Sequence, residues 1–438
     1  MRLITSAVLW ISLYLALAVA PLLFALLADP PPARAFWTEL SVAFGFVGLA
    51  LLGLQFAVSA RSNGVDAPYG HDVVLRFHRQ ISMVALGLVL AHPIILFVTD
   101  AAPWGLLNVF DAPWRARFGV LSVLALLAIV ATSLWRLQLR LSYEVWRLSH
   151  DLLAVVIMVA ALLHVELVGH YVAGTWRQVL WAVMSLGILG VLAWIRLIKP
   201  LAMRRRPWVV DEVVERADDV WSLRLRPVGH DGLRFDPGQF AWITVGRSPL
   251  RVTEHPFSMS SSAEEPDLLE FTIKAAGDFT STVGEIQPGT RVFVDGPYGV
   301  FTPIRNEGAG FLFVAGGIGV TPIMSILRTL ADLGDRRRMT LVYANQTWDD
   351  VAFADELADL EQRLELRVVH VLAEPDEDWE GEAGFVTHEI LEPNLPERPD
   401  RVRCFLCGPA PMMDAVTHDL LALGLDLEQI HNEEFVFA

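Results

Sequence analysis

Six apolar runs, each long enough to cross a bilayer, fall before residue 200, near 5–28, 37–59, 77–99, 117–137, 147–168 and 177–198. A spanning helix takes about 20 predominantly apolar residues. In lipid every backbone polar group has to be satisfied within its own segment, which leaves the helix as the simplest solution. These runs therefore predict a six-helix transmembrane bundle. The first carries Arg2 ahead of it, as a signal peptide would, but its apolar stretch exceeds the usual length of such a core, and it is read as an uncleaved helix.

The loops give the bundle a direction. With the N-terminus inside, the inner flanks hold twelve Arg and Lys, among them Arg136, Arg140 and the run Arg204-Arg205-Arg206, against Arg34, Arg115, Arg117 and Arg177 outside. That bias places the inner face in the cytosol. Trp37, Trp104, Trp114 and Trp176 fall near the outer boundary, where an aromatic belt belongs.

Histidine carries the chemistry of this half. His78 and His92 lie in the third run and His150 and His164 in the fifth, both pairs 14 residues apart. Fourteen residues are close to four helical turns and rise about 21 Å, so each pair shares a face and spans most of a core about 30 Å thick. The two helices run in the same direction, which matches His78 with His150 at the inner level and His92 with His164 at the outer. Polar residues in membrane helices are functional candidates by default. Neutral imidazole ligates iron well, and one ligand from each helix fills both axial positions of a haem. The pattern predicts two b-type haems, each held by two histidines and suited to electron transfer. His71 sits in the inner loop after Gly70 and His170 at an outer helix end, and both read as interfacial residues.

The second half is different in kind. The chain has 438 residues, 53% hydrophobic and 19% charged, but the charge is concentrated after residue 207, and with it the net charge of −16. An acidic surface excludes nucleic acid as a partner, since phosphate binding requires a basic face. The two cysteines, Cys404 and Cys407, lack the further ligands that zinc needs, and Cys404 falls in the strand-like run Arg403–Leu406.

Val220–Leu225, Phe240–Val245 and Leu268–Lys274 alternate as strands, separated by turns at Pro237-Gly238, Pro288-Gly289 and Gly296-Pro297. Short strands at this spacing predict a small β-barrel. From residue 311 strand–helix alternation predicts a parallel sheet. Phe311–Ala315 reads as a strand, Gly316-Gly317-Ile318-Gly319-Val320-Thr321-Pro322 as a Gly-rich turn, and Ile323–Leu333 as a helix. Such a turn feeding a helix N-terminus holds phosphate through backbone N–H groups.

His255-Pro256-Phe257-Ser258, Gly277-Asp278-Phe279-Thr280 and Gly296-Pro297-Tyr298-Gly299, followed by the Gly-rich turn and Cys407-Gly408-Pro409, resemble the motifs of ferredoxin-reductase-like flavoproteins. With the paired histidines ahead of them, the whole chain resembles the ferric reductase/NADPH oxidase superfamily. The resemblance implies three domains: a transmembrane haem domain at 1–203, an FAD-binding barrel at 204–305 and an α/β nucleotide-binding domain at 306–438. It implies that NAD(P)H in the cytosol gives a hydride to FAD, and that single electrons then pass through the haems to an acceptor outside a bacterial inner membrane.

By the same resemblance His255, Pro256, Phe257 and Ser258 line the flavin ring, Phe257 packing on it and Ser258 offering a hydroxyl to its reactive edge. Lys274, Gly277 and Thr280 lie near the FAD pyrophosphate. Gly316, Gly317, Gly319, Thr321 and Pro322 cradle the nicotinamide nucleotide, and Cys407, Gly408 and Pro409 border its reactive ring. Gln346 stands where NADPH-specific relatives commonly carry Arg, which favours NADH. A terminal aromatic, Phe435 with Phe437 as rival, covers the flavin. The implied acceptor is oxygen, giving superoxide, or ferric iron. The alternative is a periplasmic or membrane partner protein that the chain supplies with electrons. Leu96 stands where the oxidases commonly have a second outer histidine, and the chain is apolar around Val42 where they tend to have Arg, which weighs against a dedicated oxygen site.

Overall fold

The computed structural model describes residues 2–26, 32–60, 71–99, 102–250, 253–304, 306, 308–396 and 401–433. The chain forms two compact units, one ending at Lys199 and one running from Pro200.

Among the described residues the first unit contains six helices long and apolar enough to cross a membrane. They are α1 (Arg2–Leu26), α2 (Phe36–Val58), α3 (His71–Val98), α4 (Trp114–Leu134), α5 (Tyr143–Val168) and α6 (Thr175–Ala193). The last continues through a π-helical turn, Trp194–Ile198, to Met203. Their outer faces are apolar and exposed, as in Leu9, Leu124, Leu152 and Leu186, because lipid rather than protein is their solvent. Small residues let the helices approach: a Cβ at Gly48 of α2 would lie 2.7 Å from Val89 of α3. The ends of α5 follow from local chemistry. The Ser142 hydroxyl accepts from the Val145 N–H at 3.4 Å, and Gly169 stops the helix with φ of +72°, a conformation open to glycine.

The second unit opens with a six-stranded antiparallel barrel of order β4-β3-β6-β1-β2-β5, built from β1 (Trp208–Ala217), β2 (Val220–Pro227), β3 (Phe240–Val245), β4 (His255–Ser258), β5 (Leu269–Lys274) and β6 (Arg291–Tyr298). A bridge from Met259 to Phe271 joins the segment after β4 back to β5 and closes it. Leu223, Leu225, Ile243, Phe271 and Val292 fill its core.

A parallel sheet of order β10-β9-β8-β7-β11-β12 follows, from β7 (Gly310–Gly316), β8 (Arg338–Asn345), β9 (Leu366–Leu372), β10 (Glu382–Ala383), β11 (Val402–Cys407) and β12 (Ile430–Glu433). Helices α7 (Val320–Asp332), α8 (Ala354–Arg363) and α9 (Ala410–Ala422) connect its strands. Both faces of the central strands are covered, so β7 is buried along its whole length and reads as a continuous apolar run. The strand order reverses between β7 and β11, and at such a switch point the carboxyl ends of a parallel sheet open a binding crevice.

Barrel and sheet are joined through buried polar contacts. Ser325 Oγ of α7 donates to the Ser261 carbonyl at 2.8 Å, and Thr329 Oγ1 accepts from the Ala263 N–H at 2.9 Å. Glu270 on β5, 2% exposed, accepts from Arg216 at 3.1 Å, Arg224 at 2.6 Å and Arg328 of α7 at 2.8 Å. Arg328 also forks onto both oxygens of Glu356 on α8. Burial alone would raise the Glu270 carboxyl, but Arg328, Arg216 and the hydrogen bonds from Arg224 and Arg328 outweigh it and hold its pKa at about 2.

Candidate redox sites

In the membrane unit the histidines meet in pairs. The rings of His78 on α3 and His150 on α5 are 6.4 Å apart between centroids, and those of His92 and His164 are 6.2 Å apart. Two imidazoles facing one metal from opposite sides, each at a metal–nitrogen distance of about 2 Å, place their ring centres about 6 Å apart. Both pairs therefore fit axial ligation of one iron each. The His78/His150 level is at the end from which α6 leaves the bundle, as the ion pair between Asp151, next to His150, and Arg196 shows.

Hydrogen bonding adds a second test of fit. His164 Nδ1 lies 2.7 Å from the Arg115 carbonyl and His92 Nδ1 lies 3.0 Å from the Ser41 carbonyl. A carbonyl only accepts, so both rings carry their proton on Nδ1 and leave Nε2 with a bare lone pair. That is the arrangement in which a histidine ligates metal while its far nitrogen is anchored. Glycines make room for it. A Cβ at Gly45 would lie 3.3 Å from the His92 ring, and one at Gly119 3.0 Å from the His164 ring.

In the barrel, His255-Pro256-Phe257-Ser258 forms the edge strand β4. His255 stacks on Phe279 at 4.2 Å with planes 6° apart, and Phe257 lies 6.2 Å from Phe279. Three flat rings thus gather beside Ser258, which is buried. The residues expected near a pyrophosphate have protein partners. Thr280 Oγ1 accepts from the Ala276 and Gly277 N–H groups at 2.9 and 2.8 Å, and Lys274 Nζ pairs with Asp350 at 3.0 Å.

The two nucleotide motifs converge at the switch point. A Cβ on Gly319 would lie 2.2 Å from the Cys407 carbonyl, one on Gly316 2.8 Å from Pro409, and one on Gly408 3.0 Å from the Gly316 nitrogen. Only glycine permits the turn after β7 to lie so close to the end of β11. Thr321 Oγ1 donates to the Ile318 carbonyl at 3.0 Å, and Thr321 and Pro322 are buried. Burial raises the Cys407 thiol, with Glu433 adding to the effect. Cys404 is likewise buried and raised to about 12. Just after β8, the neighbour of β7, Gln346 Nε2 donates to Glu374 Oε1 at 2.6 Å. Phe435 and Phe437 fall outside the described residues.

The approach of Glu433 to Gly299 was not legible in the sequence. Glu433 pairs with Cys407 across β12 and β11, is 8% exposed, and places Oε1 2.9 Å from where a Gly299 Cβ would be. It brings the end of the sheet against the barrel's Gly-Pro-Tyr-Gly corner. The Glu270 cluster at the joint was missed for the same reason, since its members are far apart in the chain.

Comparison with known proteins follows the same division. Residues 44–161 match the family "Ferric reductase like transmembrane component", 212–302 an "FAD-binding domain" and 313–418 the "Oxidoreductase NAD-binding domain". The propane 2-monooxygenase reductase component of Rhodococcus jostii is 31% identical over 237 residues, 52% of this chain, which spans 62% of that relative's length. NADH-cytochrome b5 reductase 1 of Debaryomyces hansenii is 33% identical over 249 residues, 55% of this chain and 87% of its own. A crystal structure of the FAD/NAD-binding domain of nitric oxide dioxygenase from Vibrio cholerae is 26% identical, covering 52% of this chain and 98% of its own, with a TM-score of 0.47.

Fold and matches define an NAD(P)H-dependent flavin oxidoreductase whose catalytic half is joined to a multi-pass membrane domain. With a ferric-reductase-like membrane component, an FAD domain and an NAD domain in that order, the chain has the ferric reductase/NADPH oxidase-like architecture.

Proposed function

We propose that this chain takes reducing equivalents from NADH in the cytosol and delivers single electrons across a bacterial inner membrane to an acceptor on the far side. The carrying observation is the pair of histidine sites, with ring centroids 6.4 and 6.2 Å apart at two levels of one bundle. Bound FAD would turn a hydride into single electrons and two bound haems would carry them, chemistry that belongs to the cofactors.

The chain's own residues do the rest. His78 with His150, and His92 with His164, would hold haem iron between α3 and α5. Phe257, with His255 and Phe279, offers flat faces to the flavin ring, and Ser258 a hydroxyl to its edge. Gly316, Gly317 and Gly319 bring backbone N–H groups to the nucleotide phosphates. Gly408 and Pro409 shape the ground on which the nicotinamide rests, with Cys407 buried beneath as packing. Phe435 is the proposed cover of the flavin. The Gln346–Glu374 pair supports NADH as donor: a carboxylate there accepts from a ribose hydroxyl and repels a 2′-phosphate. Domain limits at 1–203, 204–305 and 306–438 are part of the same proposal.

The acceptor meets the outer pair's edge, where oxygen and ferric iron are the candidates and a partner protein the alternative. Purified protein loaded with haem and FAD tests the scheme. It is expected to hold two haems per chain and to show their bands reducing anaerobically on addition of NADH. Protein that binds no haem, or whose haem content is unchanged when both histidine pairs are removed, sinks the proposal. Reoxidation in air with dye reduction sensitive to superoxide dismutase identifies oxygen. Discharge only by a ferric chelate identifies iron, and discharge only by a periplasmic fraction a protein.

A further inference from the structure

The two histidine pairs match in distance but not in what holds their far nitrogens. In the outer pair both rings donate to backbone carbonyls, His164 to Arg115 at 2.7 Å and His92 to Ser41 at 3.0 Å. His92 Nδ1 is also 2.9 Å from Ser41 Oγ, whose own proton goes to the His92 carbonyl at 2.8 Å, so the ring is the donor there too. In the inner pair, His150 Nδ1 is 3.3 Å from Ser133 Oγ. That oxygen also accepts from Trp146 Nε1 at 3.3 Å, and its proton goes to the Ile129 carbonyl at 2.7 Å. His78 Nδ1 is buried and has no hydrogen-bond partner among the described residues.

We infer that the outer iron site has the lower reduction potential of the two, set by the Ser41 and Arg115 carbonyls acting through His92 and His164. The inference rests on the haem ligation proposed above. An N–H···O=C bond at Nδ1 pushes electron density into the ring and makes Nε2 a stronger donor. A stronger donor favours ferric over ferrous iron, and second-shell hydrogen bonding is one of the protein's levers on that balance. The outer site has this push on both axial ligands. The inner site has one long, shared contact to a hydroxyl and none on its other ligand. The arginines near the two levels are both paired, Arg34 with Glu39 and Arg196 with Asp151. Gly45 and Gly119 are positioning residues in this scheme, because they let α2 and α4 bring those carbonyls within reach of the rings.

Electrons then rest at the inner level, and the outer site fills only once the inner one is occupied. The resting protein keeps its outer edge oxidised, which limits stray discharge when no acceptor is present.

A spectroelectrochemical titration of the haem-loaded full chain, with paramagnetic resonance of the oxidised form, tests the inference without turnover. Wild type is expected to titrate in two one-electron steps. His92→Leu is expected to lose one haem and with it the lower step, keeping the upper step where it was. Gly45→Ala, a milder change that presses on the His92 ring, is expected to keep both haems and move only the lower step upward. Loss of the upper step in His92→Leu overturns the inference, as does an upward shift of the upper step alone in Gly45→Ala. Two haems that titrate together in wild type also overturn it. Failure of the haem reading itself looks different: wild type would lack two haems, or His92→Leu would retain both.

Discussion

The two halves of this molecule place chemistry in opposite ways. In the membrane unit the candidate ligands are side chains on regular helices, and the backbone hydrogen-bonds the far nitrogens of the outer pair. In the reductase unit the proposed nucleotide site is mostly backbone, and its glycines allow close approach by having no side chain. A helix in lipid has to satisfy its own backbone, so function is left to side chains aligned by the helical repeat. A parallel sheet ends in loops whose free N–H groups are themselves the binding surface. The same residue type therefore carries different weight in each half.

Gly319→Val gives the largest expected effect. Its Cβ would fall 2.2 Å from the Cys407 carbonyl, so the turn after β7 has to move away from β11. Flavin reduction by NADH should slow on the order of 100-fold, the usual consequence of misplacing a bound reactant by about 1 Å. Haem reduction by dithionite should be unaffected, and stopped-flow absorbance reads both. Retention of near-normal NADH kinetics would remove the backbone account of this site.

Glu270→Ala comes next. It leaves Arg216, Arg224 and Arg328 facing one another at the barrel–sheet joint, at a cost of about 3–5 kcal/mol in unfolding of the reductase half by denaturant. The wild type should approach the variant at acid pH. The native Glu270 pKa is held at about 2, below its ordinary 4.5, so the stability it contributes is present above pH 4.5 and is lost as pH falls towards 2. A difference between the two proteins that does not change from pH 5 to pH 2 would contradict this assignment.

Glu374→Ala tests a smaller term. Removing the carboxylate beside Gln346 should raise kcat/KM for NADPH about tenfold relative to NADH, equivalent to about 1.4 kcal/mol. An unchanged ratio in steady-state assays would place nucleotide selection elsewhere. The smallest expected effect is the control for the whole contrast. A Cβ at Gly87 in α3 meets nothing within 4 Å. Gly87→Ala should leave haem content unchanged and alter stability by no more than about 1 kcal/mol. A loss of haem would show that α3 depends on its glycines as closely as the turn after β7 does.

Much of the architecture was legible in the amino-acid order. The six apolar runs became the six helices, and only α2 keeps both boundaries to within one residue. Phe240–Val245 became β3 without a change, and the helix expected to begin at Ile323 begins at Val320 because Thr321 and Pro322 belong to its first turn. The histidine pairs were legible because 14 residues on a helix fix both face and depth, and equal spacing on two parallel helices then fixes the match between them. The Gly-rich turn was legible because strand, glycines and helix are contiguous.

Only the tertiary structure decided what those residues touch. Ser41 reaches His92 across 51 positions, and Arg115 reaches His164 across 49. Arg328 reaches Glu270 across 58, and Glu433 meets Gly299 from the other end of the reductase half. Local periodicity sets which side chains share a face, because it depends only on the rise and turn of one element. Which neighbouring element then presents a carbonyl, a carboxylate or an empty space depends on how separate elements pack, and no fixed spacing along the chain records that.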